Sequence, residues 1–192
     1  MTIHSEEIYQ KAKKILHRCG TRDSLQIAQD LGIYLHFIDG FKDLLGMYTY
    51  QQKERHILLN ANMDDILMQM VCAHEIGHDT LHREQAKGKG ALSEFVLFDM
   101  RTAMEYEANA FAAHLLIDDD ELNSYLQQGY DVTQLASAMN TNINLMLIKL
   151  NEMNRMGRNY RLPYIPHADF FKDVKPEDST AHNTEGEEAG MR

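Results

Sequence analysis

The sequence is poor in cysteine and has no long apolar run, and both absences restrict where the protein can work. Its two cysteines, Cys19 and Cys72, lie far apart in a chain of 192 residues, which suits a reducing cytoplasm better than a disulfide framework. No apolar stretch approaches the roughly 20 residues of a membrane-spanning helix. The segment from Met1 to Lys14 is charged and lacks the apolar core of a secretory signal peptide. We therefore expect a soluble, cytoplasmic protein without a membrane partner.

Positive charge and proline are also scarce. The 19 Lys and Arg residues are outnumbered by 29 Asp and Glu residues, and the net charge of -10 argues against nucleic acid as a bulk partner. The three prolines, Pro163, Pro166 and Pro176, all fall in the acidic C-terminal part. This composition predicts one domain over residues 1–162, large enough to bury a core without disulfides, and a flexible acidic tail over residues 163–192.

The most informative feature that is present is the pentapeptide His74-Glu75-Ile76-Gly77-His78. On a helix its two histidines lie one turn apart on one face, about 6 Å along the axis, so one metal ion can contact both rings. Glu75 lies to the side of that pair and can act as the general base for a metal-activated water, as in metal-dependent hydrolases. The alternative is a surface helix with two solvated histidines. Apolar or small neighbours favour a buried helix, whose polar side chains need a partner such as a metal: Ile66, Met70, Val71, Ala73, Ile76, Gly77 and Leu81.

A second segment, residues 104–116, supplies the expected third ligand. Its apolar residues recur at helical spacing and predict a second helix. Glu105 and Asn109 are four residues apart and share one face of that helix, whereas Glu107 points away from it. We predict Glu105 as the third protein ligand of one Zn²⁺ ion per chain, with Asn109 accepting a hydrogen bond from a ligating imidazole. Glu107 is the fallback metal ligand.

Two further histidines compete for the metal. His82 follows His78 by four residues, but three ligands spaced in this way along one helix cannot converge on one ion. We instead expect His82 at the C-terminal end of the helix, where its protonated form is favourable. His114 lies nine residues after Glu105, roughly on the opposite face of the second helix, and is not favoured as a ligand.

The order of the remaining elements predicts an α+β fold. Two N-terminal helices, the first ended by Gly20 and the second capped by Asp23, precede three strand-like runs at residues 33–38, 45–51 and 56–60. We predict that these runs form a small antiparallel sheet packed on the HExxH helix, which spans about Asp64 to His82. The charged, glycine-containing segment 83–90 predicts a loop between the two ligand-bearing helices.

Residues 131–160 predict a C-terminal helical part whose pattern resembles a degenerate helix-turn-helix. Lys149, Arg155, Arg158 and Arg161 lie on or after its second helix and could touch DNA phosphates. The alternative is a helical pair packed beside the catalytic core. We favour packing, because the turn lacks glycine and the second helix is apolar nearly all round.

The two motifs together resemble a known family. The sequence HEIGH, followed in residues 105–116 by ExEANxFAAxLL, is similar to the ImmA/IrrE family of metallo-endopeptidases. The helix with the third ligand is similar to that of the gluzincin zinc proteases, in which an Asp follows the Glu ligand by four residues; Asn109 stands at that position here. The resemblance covers most of residues 5–160. One departure is that Ile117 is followed by acids where the family often has a proline, which should alter only the start of the next helix.

The resemblance implies a zincin-like, minimal gluzincin core and a zinc endopeptidase with a narrow target. Members of this family are commonly encoded beside a helix-turn-helix repressor of a phage or mobile element, and they relieve repression by cutting that repressor. The expected partner is therefore a protein substrate, with Glu75 as the catalytic base. The alternative function is a non-proteolytic zinc-fold regulator that acts by binding a transcription factor or DNA. Nothing in the sequence sets the oligomeric state.

Overall fold

The computed structural model describes residues 4–88 and 103–162, which form eight helices around one three-stranded sheet. The strands are β1 (Tyr34–Ile38), β2 (Gly46–Gln51) and β3 (Glu54–Asn60). The helices are α1 (Ser5–Cys19), α2 (Ser24–Asp30), α3 (Asp65–Leu81), α4 (Arg83–Gly88), α5 (Ala103–Leu116), α6 (Asp119–Gln127), α7 (Val132–Ala138) and α8 (Ile143–Arg155). The tail predicted for residues 163–192 lies outside the described residues.

Helix ends follow capping signals that are visible in the sequence. Gly20 ends α1 in the left-handed conformation, with φ of 69°. The Asp23 carboxylate accepts the first backbone N–H groups of α2. The Asp64 carboxylate accepts the backbone N–H of Leu67 at 2.7 Å and so starts α3, the helix that carries the HExxH motif.

The sheet has the order β1-β3-β2 and is mixed, which corrects the predicted antiparallel sheet. β2 and β3 form an antiparallel hairpin, but β1 pairs with β3 in parallel. Residues 39–45 carry the chain from β1 across to the far side of β3. The buried Asn60 secures this crossing, because its side-chain amide donates to the carbonyls of Phe41 and Leu44 at 3.1 and 3.0 Å. Side-chain alternation predicts strands but does not reveal which neighbours will pair.

One face of the sheet packs on α3, and α3 packs on α5. Both contacts depend on a glycine. A Cβ placed on Gly46 would lie 2.5 Å from Cγ1 of Val71, and a Cβ placed on Gly77 would lie 3.0 Å from both Cα and the carbonyl oxygen of Ala108. The backbones therefore approach closely at these two points. The buried core extends around them from α1 and α2 to α8.

The segment predicted as a loop after the HExxH helix begins instead with a short helix, α4, and its residues 89–90 lie outside the described part of the chain. The turn at His82 interrupts the helical path between α3 and α4, with φ of -124°. Arg83 then anchors α4 to α3 through two hydrogen bonds to the Asp79 carboxylate. Among residues 4–88 and 103–162, no helix has the length and apolar character that crossing a bilayer requires.

Candidate metal centre

The HExxH motif occupies the buried C-terminal half of α3. His74, Glu75 and His78 are 0%, 1% and 4% exposed, so none of them is a solvated surface residue. The helix is enclosed by α5 on one side and by the sheet on the other. The interpretation as a surface helix with two solvated histidines is therefore wrong.

Glu105 of α5 meets both imidazoles. The Nε2 atoms of His74 and His78 lie 3.0 Å apart, and Oε2 of Glu105 lies 3.3 and 3.4 Å from them. The close approach of α3 and α5 at Gly77 makes this meeting possible, because Gly77 belongs to the HExxH motif and Ala108 lies one helical turn after Glu105. Within the described residues, these three side chains are the group whose ligand atoms lie close enough to hold a metal ion.

The donor set fits a divalent metal cation. Nδ1 of His74 lies 2.8 Å from Oδ1 of Asn109, so the ring proton placed there leaves the Nε2 lone pair facing His78 and Glu105. Oε2 of Glu105 is buried and makes no hydrogen bond of its own. Two imidazole nitrogens and a carboxylate oxygen that converge in a buried site need a positive charge between them.

Glu75 lies beside this cluster with a perturbed acidity. Burial raises the pKa of Glu75 to about 8, with a smaller opposing effect from His74, and its Oε1 atom has no hydrogen-bond partner. Burial also lowers the pKa of His78 to about 4, which favours the neutral imidazole that a metal requires. Burial by itself would raise the pKa of Glu105, but the two imidazoles hold it well below its usual range. The cluster therefore combines a carboxylate that stays ionised with a buried glutamate whose pKa is raised.

The structure also places His82 and Glu107 at this site, in roles that the sequence pattern did not predict. Nδ1 of His82 lies 3.0 Å from Nδ1 of His78, and Nε2 of His82 lies 3.0 Å from Oε2 of Glu107. His82 ends α3, as predicted, but burial lowers its pKa, so the protonated form is not favoured there. The fallback ligand Glu107 directs Oε2 to His82, while Glu105 approaches His74 and His78. The spacing of His74, His78 and His82 by four residues was the available signal, since it places them along one side of α3.

A buried polar group connects the edge of the sheet to α3. The Tyr48 hydroxyl of β2 donates to Oδ1 of Asp79 at 2.8 Å, and Arg55 and Arg83 contact Oδ2 at 3.1 and 2.7 Å. The backbone N–H of Tyr48 donates a hydrogen bond to the Glu75 carboxylate and thereby lowers its pKa, against the effect of burial. The strand β2 therefore lies beside the candidate base. Asp79 thus holds β2 against the part of α3 that carries the site.

The remaining candidates lie in other clusters. His114 contacts Lys149 of α8, with 3.2 Å between Nδ1 and Nζ, and Lys149 pairs with Asp119 at 2.5 Å. Lys149 is 0% exposed, so the hypothesis that it touches DNA phosphates is wrong. Arg155 pairs with Glu152 at 3.3 Å. Most of α8 is buried, as the packing alternative requires.

This arrangement is compatible with the zincin class of metallopeptidases: an HExxH helix lies beneath a small sheet, and a second helix supplies a carboxylate. The sequence model of the Peptidase M78 family, described as the IrrE N-terminal-like domain, matches residues 28–151. The chain belongs to this family, which confirms the resemblance seen in the two motifs.

Two relatives agree with the family assignment. The chain is 28% identical over 138 residues to a protein of Bacillus subtilis (strain 168) named metallopeptidase ImmA; the match covers 71% of this chain and 79% of the relative. It is 26% identical over 140 residues to a protein of Bacillus phage phi105 named uncharacterized immunity region protein 2, covering 71% of this chain and 87% of the relative. The family and these relatives support a metallopeptidase that acts on protein.

Proposed function

We propose that this protein is a zinc-dependent endopeptidase in which His74, His78 and Glu105 hold the metal and Glu75 is the catalytic base. The observation that carries the proposal is the convergence of two Nε2 atoms and one carboxylate oxygen at 3.0 to 3.4 Å, next to a buried glutamate. The choice of zinc rests on the donor set, since two imidazoles and one carboxylate with an open position are typical of catalytic zinc sites.

The chain's own residues supply positioning and proton transfer. When bound, the metal would act as a Lewis acid that polarises the peptide carbonyl and lowers the pKa of water. Glu75 would take the proton of the attacking water and pass it to the leaving amine, because it lies buried beside the three ligands with Oε1 unpaired. Asn109 would keep the proton of His74 on Nδ1, away from the metal.

We further propose that the substrate is a helix-turn-helix transcriptional repressor of a phage or mobile element, cut at a specific site. The support is the membership of the ImmA/IrrE group, together with a relative named as an immunity region protein of a phage. A repressor of this kind is the protein whose removal would end phage immunity. The activity would be exercised in the cytoplasm, where such repressors bind DNA.

The test uses a purified helix-turn-helix repressor of a phage or mobile element from the same genome, incubated with the zinc-loaded wild type and with Glu75→Gln. We expect the wild type to produce two fragments and Glu75→Gln to produce none, although it binds the same amount of zinc. Mass spectrometry of the fragments locates the cut.

A repressor that stays intact but forms a stable complex with both proteins would favour the non-proteolytic regulator. Binding to DNA would have to use surfaces other than Lys149, because that side chain is fully buried. Equal cleavage by wild type and Glu75→Gln would refute the assigned role of Glu75.

A further inference from the structure

A continuous line of polar contacts leads from the metal centre to Glu107. It runs from Nδ1 of His78 to Nδ1 of His82 at 3.0 Å, and from Nε2 of His82 to Oε2 of Glu107 at 3.0 Å. His78, His82 and Glu107 are 4%, 2% and 2% exposed, so water does not compete strongly for these contacts. The line starts at the ring nitrogen of His78 that faces away from Glu105.

The Glu107 carboxylate determines which nitrogen donates and which accepts at each contact in this line. A carboxylate oxygen accepts hydrogen bonds, so Nε2 of His82 donates to Oε2 of Glu107, which leaves a lone pair on Nδ1 of His82. That lone pair accepts the Nδ1 proton of His78. The Nε2 atom of His78 is then unprotonated, and its lone pair faces His74 and Glu105. The reverse direction would put a proton on Nε2 of His78, where a metal ion could not bind.

Helix α5 also positions the imidazole of His74, in this case by a direct hydrogen bond. Asn109 of α5 accepts from Nδ1 of His74 at 2.8 Å. Glu105, Glu107 and Asn109 therefore lie within five residues of one another on α5: Glu105 approaches the metal position, Asn109 approaches the outer nitrogen of His74, and Glu107 approaches Nε2 of His82. His78 is reached through an intervening histidine, because His82 lies between its ring and Glu107.

We propose that Glu107 and His82 are positioning residues: acting through His82, Glu107 fixes the tautomer and ring orientation of His78 and thereby sets the metal affinity. This inference rests on the metal site of the proposed function and extends it to two residues that touch neither metal nor substrate. Removal of an outer partner of a metal-bound histidine typically costs about 10- to 100-fold in metal affinity. We expect a loss of this size without loss of the fold.

The first comparison is between Glu107→Gln and a matched control, Glu152→Gln. Glu152 is also a fully buried carboxylate, but it accepts a hydrogen bond from the Tyr106 hydroxyl at 2.7 Å and does not belong to the three-residue cluster. Zinc affinity is measured by competition with a chromophoric chelator, and the unfolding of the metal-free proteins is measured by circular dichroism. We expect Glu107→Gln to bind zinc about 10- to 100-fold more weakly than the wild type, and Glu152→Gln to bind it equally well.

The second comparison separates positioning from packing and also serves if Glu107→Gln does not fold. His82→Asn keeps an amide oxygen near the position of Nδ1, as Asn109 does for His74, whereas His82→Leu removes the acceptor. We expect His82→Asn to retain most of the zinc affinity and the ligand-field spectrum of a Co²⁺-substituted site, and His82→Leu to lose both. In the His82→Asn background, Glu107→Gln should have little further effect, because the coupling runs through the histidine.

The outcomes distinguish this inference from the proposed function. A wild type that takes up no zinc would overturn both. A wild type that binds one zinc ion per chain, with Glu107→Gln and His82→Leu binding equally tightly, would overturn only the positioning role and leave the peptidase proposal standing.

Discussion

Gly77→Ala should weaken both the fold and the metal site, because the α3–α5 contact has no room for a methyl group. The added Cβ would lie 3.0 Å from Cα and from the carbonyl oxygen of Ala108 and 3.3 Å from its Cβ. Two of these atoms belong to backbone, so they cannot rotate away. The helices would have to separate by a few tenths of an ångström.

The expected free-energy change is the difference between two opposing effects. Replacing glycine by alanine inside a helix is favourable by about 1 kcal/mol. Overpacking a buried helix contact costs about 1–3 kcal/mol. Because the contact is with backbone, we expect the cost to lie in the upper half of that range and the variant to be about 1–2 kcal/mol less stable than the wild type. Zinc affinity should also fall, since metal–ligand distances tolerate only about 0.2 Å.

Urea unfolding of the metal-free protein and chelator competition for zinc measure the two effects. Gly40→Ala is the matched control, because a Cβ at Gly40 meets no atom within 4 Å. A Gly77→Ala protein that is more stable than the wild type, with unchanged zinc affinity, would refute the close approach of α3 and α5.

Three other perturbations test separate parts of the structure. Burial, reinforced by Lys149, lowers the pKa of His114 to about 3, so between about pH 6.5 and pH 3 the unfolded chain binds a proton that the folded chain does not, and stability falls with decreasing pH. His114→Phe should reduce the slope of the unfolding free energy against pH by up to about 1.4 kcal/mol per pH unit, measured by urea unfolding. The exposed His17→Gln is the control, and equal slopes in the two variants would contradict the burial of a neutral His114. Gln52 and Lys53 both have positive φ (51° and 69°) in the β2–β3 turn, so the double change to Asn-Gly should stabilise the protein by about 1 kcal/mol, measured as the urea midpoint; a loss of stability would mean that the turn has another conformation. Zinc at about 100 times its dissociation constant should stabilise the wild type by about 2.7 kcal/mol against unfolding, and His74→Ala should abolish this effect; equal stabilisation of both proteins would place the metal elsewhere.

The helix-turn-helix resemblance of residues 131–160 shows how an amphipathic pattern can be ambiguous. The two helices α7 and α8 are present, but α8 packs on α5 with its residues 145–150 all buried. Lys149 does not face solvent. It pairs with Asp119, which also accepts the Tyr9 hydroxyl at 2.7 Å. The Lys149–Asp119 pair therefore connects α8 to α6. The Tyr9 hydroxyl connects α1 to the same carboxylate.

The sequence by itself determined most of the helices and strands, though not α4, and the residue types of the candidate site. The HExxH spacing placed two imidazoles on one helix face, and the spacing of Glu105 and Asn109 placed a carboxylate and an amide on one face of a second helix. Caps such as Asp23 marked where the helices begin. These features are local, because helical periodicity and capping depend on residues within a few positions of one another.

Only the tertiary structure decided which of these residues meet. The parallel pairing of β1 with β3, the approach of α3 to α5 at Gly77 and the contact of His82 with Glu107 all join residues that are distant in the chain. His82 is the clearest case: its position predicted a helix end that favours the protonated form, whereas burial beside Glu107 lowers its pKa and places its ring against His78. Burial and long-range contacts change the charge state of a side chain, and neither is encoded in the spacing of its neighbours.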